Sequence, residues 1–146
     1  MKSLLGKLGV VFIGLIIFGF AEVWGEDWKT LDVNQDFTIS YDTLNITHIS
    51  NNIIRVPTKA IYTEKGANEV VRMFGKRLEN LRYSINLMEL DCERKMVRSL
   101  AQTHYAKDGE VIESLDTIKS RAEARVPWNP IEHESTFEVL YKAVCK

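Results

Sequence analysis

Within residues 28–62, hydrophobic and polar residues alternate over short stretches in the way that a β-sheet requires. Residues 28–33 and 37–48 are predicted strands, and the second opens with the alternating sequence FTISYD. Residues 53–62 continue the strand pattern, but Pro57 cannot donate a hydrogen bond to a neighbouring strand. The proline therefore predicts that this strand lies at a sheet edge or contains a bulge.

After Gly66 the spacing between apolar residues increases from two positions to three or four, which indicates a helix. Apolar side chains keep this spacing from Val71 to Leu81, and we predict one helix over residues 67–82. Gly75 within this helix lowers its stability by about 1 kcal/mol relative to alanine. A glycine at such a position indicates close packing of the helix on the sheet.

The outer side of this helix carries a candidate binding patch of four basic residues, Arg72, Lys76, Arg77 and Arg82. Such a patch attracts sulfated polysaccharide or an acidic protein surface. The alternative is a solvated helix face with internal ion pairs, since Glu69 and Glu79 dilute the charge.

Strand character returns after this helix. The apolar positions change parity between Leu87 and Met88, which predicts a bulge in the strand that contains both. Residues 96–105 and 111–115 are predicted to form a hairpin around the turn sequence KDG.

A capping box marks the start of a final helix, because Ser135 and Glu138 lie three positions apart just ahead of an apolar run. The order of elements predicts an α+β domain. We expect a single antiparallel β-sheet of about six strands, packed with one central and one C-terminal helix.

The amino-terminal segment has the features of a secretory signal. Lys2 and Lys7 precede an uncharged apolar run over residues 8–20, which is shorter than the roughly 20 residues of a membrane-spanning helix. Cleavage is therefore favoured over the alternative, an uncleaved anchor.

Small residues allow this cleavage after Ala21 or after Gly25, and we favour the second. Residues 1–25 are then the signal and residues 26–146 the mature domain. No cysteine lies near either position to accept a lipid, so we expect an exported protein with no membrane span, in the periplasm, at the outer surface or secreted.

The charge balance argues against nucleic acid as a partner. The formal net charge of the chain is −1, and loss of Lys2, Lys7 and Glu22 with the signal makes it about −2. A protein that binds phosphates needs a basic footprint, which this chain lacks overall.

Cys92 and Cys145 are the two cysteines of the chain. An even count in an exported protein favours a disulfide, and here one pairing is available. The alternative, two free thiols with a catalytic or metal role, lacks a Cys-x-x-Cys pair or a Cys/His cluster.

Motifs of catalysis and metal binding are missing from the sequence. We find no hydrolase, phosphate-binding or dinucleotide signature, which favours a protein that is not an enzyme and uses no cofactor. His48, His104 and His133 are scattered without ligand spacing, and the acidic residues beside His133 are explained by the dipole of the following helix. We predict no metal site. Trp128 is interpreted as a cover over the core rather than a ligand platform.

Short motifs spread over residues 28–146 resemble the bacterial surface-adhesin protein E family. They are Tyr41-Asp42, Ile54-Arg55-Val56, the run from Leu87 to Cys92, Arg98, Tyr105 with Asp108-Gly109, Trp128-Asn129-Pro130-Ile131, Ser135, and Tyr141 with Val144-Cys145. The resemblance implies a compact antiparallel sheet packed with helices, a Cys92–Cys145 bridge, and attachment to host or matrix proteins.

We therefore expect an exported, non-enzymatic, adhesin-like protein that binds a protein or polysaccharide at the cell surface. The alternative is a periplasmic accessory or structural protein of a cell-envelope complex. The sequence carries no indication of the oligomeric state.

Overall fold

The computed structural model describes residues 25–146, so the signal predicted for residues 1–25 lies outside the described part except for its last residue. Residues 25–146 form one eight-stranded antiparallel sheet and two helices, which confirms the predicted α+β class. The strands are β1 (Trp28–Val33), β2 (Phe37–Asp42), β3 (Thr47–His48), β4 (Ile53–Tyr62), β5 (Leu81–Asp91), β6 (Met96–Ala106), β7 (Val111–Asp116) and β8 (Asn129–Pro130). The helices are α1 (Glu64–Phe74) and α2 (Thr136–Val144), with single 3-10 turns at Lys76–Leu78 and Glu123–Arg125.

Six of these strands form the body of the sheet, in the order β1-β2-β4-β5-β6-β7. The two-residue strands β3 and β8 add short pairings to β4 and β6. The predicted number of about six strands therefore fits the body of the sheet. The two additional strands were not predicted as separate elements, because two residues are too few to show an alternation of apolar and polar positions.

The two faces of the sheet differ in what covers them. Both helices lie on one side, the helix face, where β4 presents the buried side chains of Ile54, Val56, Thr58 and Ala60. Its intervening residues, from Arg55 to Ile61, lie on the opposite side, the open face, and are half-buried or exposed.

The main core lies between the helix face and α2. Leu140 of α2 packs there with Ile131 and with the side chains of Tyr41, Ile54, Val56, Met88, Leu90 and Val97. At the other end of the same face, Leu78 and Leu81 are almost fully buried beside α1. Burial of a large aliphatic side chain contributes about 1.5–3 kcal/mol, so these two clusters hold both helices on the sheet.

The first helix is shorter than predicted. It begins after Thr63, whose hydroxyl accepts a hydrogen bond from the N–H of Gly66, and it ends at Phe74 because Gly75 has a φ of 109°. Glycine adopts such a φ without steric cost, so Gly75 terminates the helix instead of lying inside it. The prediction of one helix over residues 67–82 was wrong in this respect.

Pro57 lies in an interior strand, neither at an edge nor in a bulge. β4 pairs with β2 from Thr58 onwards and with β3 at Ile54 and Arg55, so Val56 and Pro57 have no paired residue on that side. On its other side Pro57 is in regular register with Leu87 of β5. The missing N–H therefore falls in the interval between two partner strands, where no ladder bond is lost.

The prediction of a bulge in β5 at Leu87 and Met88 was wrong, because the extra residue at this step is in the neighbouring strand β6. β5 runs in unbroken register with β4, whereas Leu100 of β6 is inserted opposite the step from Leu87 to Met88. β5 has apolar residues at both odd-numbered and even-numbered positions because its side chains pack on both faces of the sheet.

The carboxyl-terminal helix and the disulfide follow the predictions. Ser135 caps α2 by accepting a hydrogen bond from the N–H of Glu138, 3.2 Å away. Cys92 and Cys145 are bridged with their Cα atoms 5.5 Å apart, and the hydroxyl of Tyr141 donates to the carbonyl of Cys92 at 3.0 Å. The end of α2 is thus fixed to the end of β5. Within residues 25–146, no helix has the length and apolar character needed to cross a membrane.

Candidate functional site

A group of aromatic rings and one lysine lies on the open face, with members from β1, β4, β5 and β6. The Nζ atom of Lys59 is 4.8 Å from the ring centroid of Tyr83 and 5.6 Å from that of Trp28. The rings of Tyr83 and Tyr105 are stacked, with centroids 4.6 Å apart and planes inclined by 10°. We call Trp28, Lys59, Tyr83 and Tyr105 the aromatic-lysine group.

Strand register brings this group together. Tyr83 and Tyr105 are direct cross-strand partners of β5 and β6, an arrangement that stabilises an antiparallel pair. Lys59 belongs to the next strand, so its aliphatic stem lies along the sheet and its ammonium reaches the ring faces. All four residues are half-buried, so part of each remains in contact with solvent.

The other end of the open face is closed by a buried ion cluster. The carboxylate of Glu89 accepts from Arg55 Nε and Arg98 Nη2, both at 2.7 Å, and its side chain is only 3% exposed. Arg98 Nη1 also donates to the carbonyls of Glu123 and Val126, each at 3.0 Å. These contacts hold the segment before β8 against the sheet.

Trp128 completes this closed end, because its ring centroid lies 4.3 Å from the guanidinium carbon of Arg98. It therefore covers a buried ion pair of the open face, whereas the sequence interpretation placed it over the hydrophobic core. In residues 25–146, Trp128 thus covers this end of the open face, and the aromatic-lysine group lies at the other end, where its side chains are half-buried.

The four basic residues predicted as a patch do not share one helix face. Arg72 alone is in α1 and pairs with Glu69, whereas Lys76 and Arg77 lie in the 3-10 turn and Arg82 lies in β5. Arg77 Nε contacts Glu113 at 3.0 Å. A role for these residues in binding stays a prediction, now without a continuous helical surface.

His104 is the one buried histidine of the described residues. Its Nδ1 lies 2.6 Å from the hydroxyl oxygen of Ser84, and its Nε2 lies 3.7 Å from Glu113. Burial lowers the pKa of His104, and the nearby carboxylate of Glu113 opposes that effect only in part. His104 is therefore neutral at about pH 7.

Metal-binding geometry is absent from the part of the chain that the structure describes: residues 25–146 contain no group of three side chains suited to a metal ion. His133 lies instead beside Glu138, with Nδ1 3.2 Å from the carboxylate.

Sequence reasoning missed the aromatic-lysine group. Its members come from four strands separated by up to 77 positions, from Trp28 to Tyr105. Aromatic residues at strand positions were visible, but the pairings that make them neighbours depend on the register of the whole sheet.

Comparison with known proteins gives one match. A family model described as surface-adhesin protein E matches residues 28–146, most of the chain. No curated protein matches the chain, and neither does any solved structure.

Proposed function

This chain belongs to the surface-adhesin protein E family, and from that premise we propose that it is an exported protein that attaches to a host or matrix macromolecule. Its binding surface is the aromatic-lysine group on the open face. Its ligand is a protein or a polysaccharide presented outside the cell.

The observation that carries this proposal is the composition of the accessible part of the open face. Tyrosine and tryptophan carry most of the binding energy at many interfaces, since they provide large contact areas at low entropic cost. Tyr83 and Tyr105 are already stacked and Lys59 is already held over a ring, so little side-chain freedom remains to be lost on binding. An open sheet face also suits a broad macromolecular contact.

The surroundings of Ser84 support a function without catalysis. Ser84, His104 and Glu113 form a series that resembles a nucleophile, a base and a carboxylate. Ser84 is 0% exposed, so no substrate reaches its hydroxyl in this fold. Its contacts with His104 and with the hydroxyl of Tyr62, 3.3 Å away, satisfy buried polar groups.

Binding of the exported, purified protein to immobilised matrix proteins and polysaccharides tests the proposal. We expect saturable binding that falls by about tenfold or more in a Tyr83→Ala/Tyr105→Ala variant, the loss typical of a central aromatic pair. Phe137→Ala is the matched control, because Phe137 is an exposed aromatic residue of α2. Equal binding by an unrelated disulfide-containing domain would remove the adhesin function.

Cell fractionation distinguishes attachment from the alternative role in a cell-envelope complex. A surface protein is accessible to added protease in intact cells, whereas a periplasmic accessory protein is protected until the outer membrane is opened. Complete protection would favour the accessory role.

A further inference from the structure

A second recognition surface lies on the helix face, between α1 and the strands β6 and β7. One cleft of about 210 Å³ extends from Val70 and Phe74 to Gln102, His104 and Glu113. An adjoining cleft of about 220 Å³ shares those last three residues and continues along the exposed side chain of Leu115. Each is smaller than the roughly 300–1,000 Å³ of sites for drug-sized molecules, and the shared residues join them into one two-part site.

The polar residues that line the two clefts present planar groups without net charge once Arg77 of the first cleft is included. The guanidinium of Arg77 and the carboxylate of Glu113 pair at 3.0 Å, so the cation and the anion of the site neutralise each other. His104, 9% exposed, is neutral, and Gln102 adds an exposed amide. Together they provide several donors and acceptors and no charge to attract an ion.

His104 leaves one polar atom for a ligand. Its Nδ1 is occupied by Ser84 at 2.6 Å, but Nε2 lies 3.7 Å from Glu113, which is beyond hydrogen-bond distance. A hydroxyl group placed between Nε2 and the carboxylate would bond to both. Nε2 therefore borders the cleft without a direct partner, on a side chain that is 11% exposed, and a polar atom in this position is a feature of sites that bind polar molecules.

The wall of the first cleft is apolar and aromatic. Phe74 is 56% exposed at the end of α1, and Val70 lies one helical turn before it. An exposed aromatic ring beside a polar floor suits a ligand with one C–H face and one edge of hydroxyl groups.

We propose that these two clefts bind a neutral oligosaccharide, with one sugar unit in each cleft. Its hydroxyl groups would bond to Gln102, His104 and Glu113, and its C–H face would pack on Phe74. The site lies on the opposite side of the sheet from the aromatic-lysine group, and it does not depend on the attachment proposed above.

Titration of the ¹⁵N-labelled protein with neutral disaccharides tests the proposal by NMR. The probes are lactose, maltose, cellobiose and N,N′-diacetylchitobiose, with a heparin-derived disaccharide as the charged comparison. We expect saturable shifts at the amides of Gln102, His104 and Glu113 with at least one neutral probe. Gln102→Ala and Glu113→Gln should each weaken that binding about tenfold, because the first removes hydrogen bonds to the ligand and the second replaces a charged acceptor by a weaker neutral one.

The variants are chosen to keep the fold intact. Gln102 is exposed and the Glu113 side chain is 40% exposed, so neither replacement creates a buried defect. Glu110→Gln, a neutralised carboxylate in the exposed turn before β7, is the matched control and should bind as the unaltered protein does.

Three results would overturn the proposal. They are the absence of saturable shifts with every neutral probe, shifts confined to the open face, and tighter binding of the charged disaccharide at the clefts. The Tyr83→Ala/Tyr105→Ala variant should retain sugar binding, so failure of the attachment proposal and failure of this one give different outcomes.

Discussion

Arg98 and Glu89 form an ion pair across β5 and β6, with Nη2 of the arginine 2.7 Å from Oε1 of the glutamate. The side chain of Arg98 is 12% exposed and that of Glu89 is 3% exposed, so both charged groups are largely shielded from solvent. Such a pair depends on its partners, because a buried charge that loses its counter-charge costs several kcal/mol. It also fixes the segment that carries Trp128, through the carbonyls of Glu123 and Val126.

Replacement of Arg98 by methionine should lower the free energy of unfolding by about 3 kcal/mol, the lower end of the range for breaking a buried pair. The lower end applies because Arg55 remains bound to Glu89. Urea unfolding followed by circular dichroism measures the change. Arg94→Met is the matched control: Arg94 is 60% exposed in its pair with Asp91, so its loss should cost less than about 1 kcal/mol. Equal effects at the two positions would contradict a buried cluster.

The disulfide should contribute about 4 kcal/mol to the free energy of unfolding. Its cysteines are separated by 53 positions, and the chain-entropy model gives this value for a loop of that size. A Cys92→Ala/Cys145→Ala variant should show this loss in chemical unfolding. Dithiothreitol should lower the stability of the unaltered protein similarly and leave the variant unchanged. A variant as stable as the parent would show that packing of α2 alone holds this terminus.

Gly66→Ala should destabilise the protein although it places a better helix former in α1. The propensity gain is at most about 1 kcal/mol. A Cβ at this position would overlap the carbonyl group of Asp36, which is held in place by the N–H of Thr63 at 2.9 Å. Overpacking of this kind costs about 1–3 kcal/mol, so the net effect is a loss. Asn68→Ala, at an exposed position of the same helix, should instead raise the melting temperature slightly.

Glu138 should make the stability depend on acid pH. Its pKa is lowered from 4.5 to about 2, chiefly by the hydrogen bond from Lys95 and next by the N–H of Glu134. Because the folded pKa lies below the unfolded one, this stabilisation is present above about pH 4.5 and is lost as the pH falls towards 2.

A Glu138→Gln variant should therefore melt below the parent at neutral pH, and the difference should shrink between about pH 4.5 and pH 2. Melting temperatures across this range provide the measurement. Glu132→Gln, an exposed change just before the same helix, is the control. A difference that stays constant down to pH 2 would show that the lost contacts are not those of the ionised carboxylate.

Local signals were sufficient for the elements that depend on neighbouring residues. The cap of α2 needs only Ser135 and the N–H of Glu138, and the turn at Gly109, with a φ of 86°, needs only its own conformation. The end of α1 was harder to predict, because Leu78 and Leu81 continue the helical spacing beyond Gly75. Both are buried as that spacing implies, but they reach the core from a 3-10 turn and from a strand.

The surfaces proposed for binding could not be predicted from the sequence. Lys59 meets Tyr83, and Gln102 meets Glu113, only after several strands have aligned in one register. The hydrophobic pattern restricts that register but does not identify which polar residues become neighbours across it.

The residue inserted at Leu100 has a consequence for both surfaces. Arg98 and His104 are six positions apart on β6, and strict alternation would place them on the same side of the sheet. The insertion changes the phase of the strand once, so Arg98 pairs with Glu89 on one side while His104 pairs with Ser84 on the other. Because of one extra residue, β6 contributes Arg98 to the ion cluster of the open face and His104 to the clefts of the helix face. Deletion of Leu100 would turn the side chains of one half of the strand to the opposite face of the sheet.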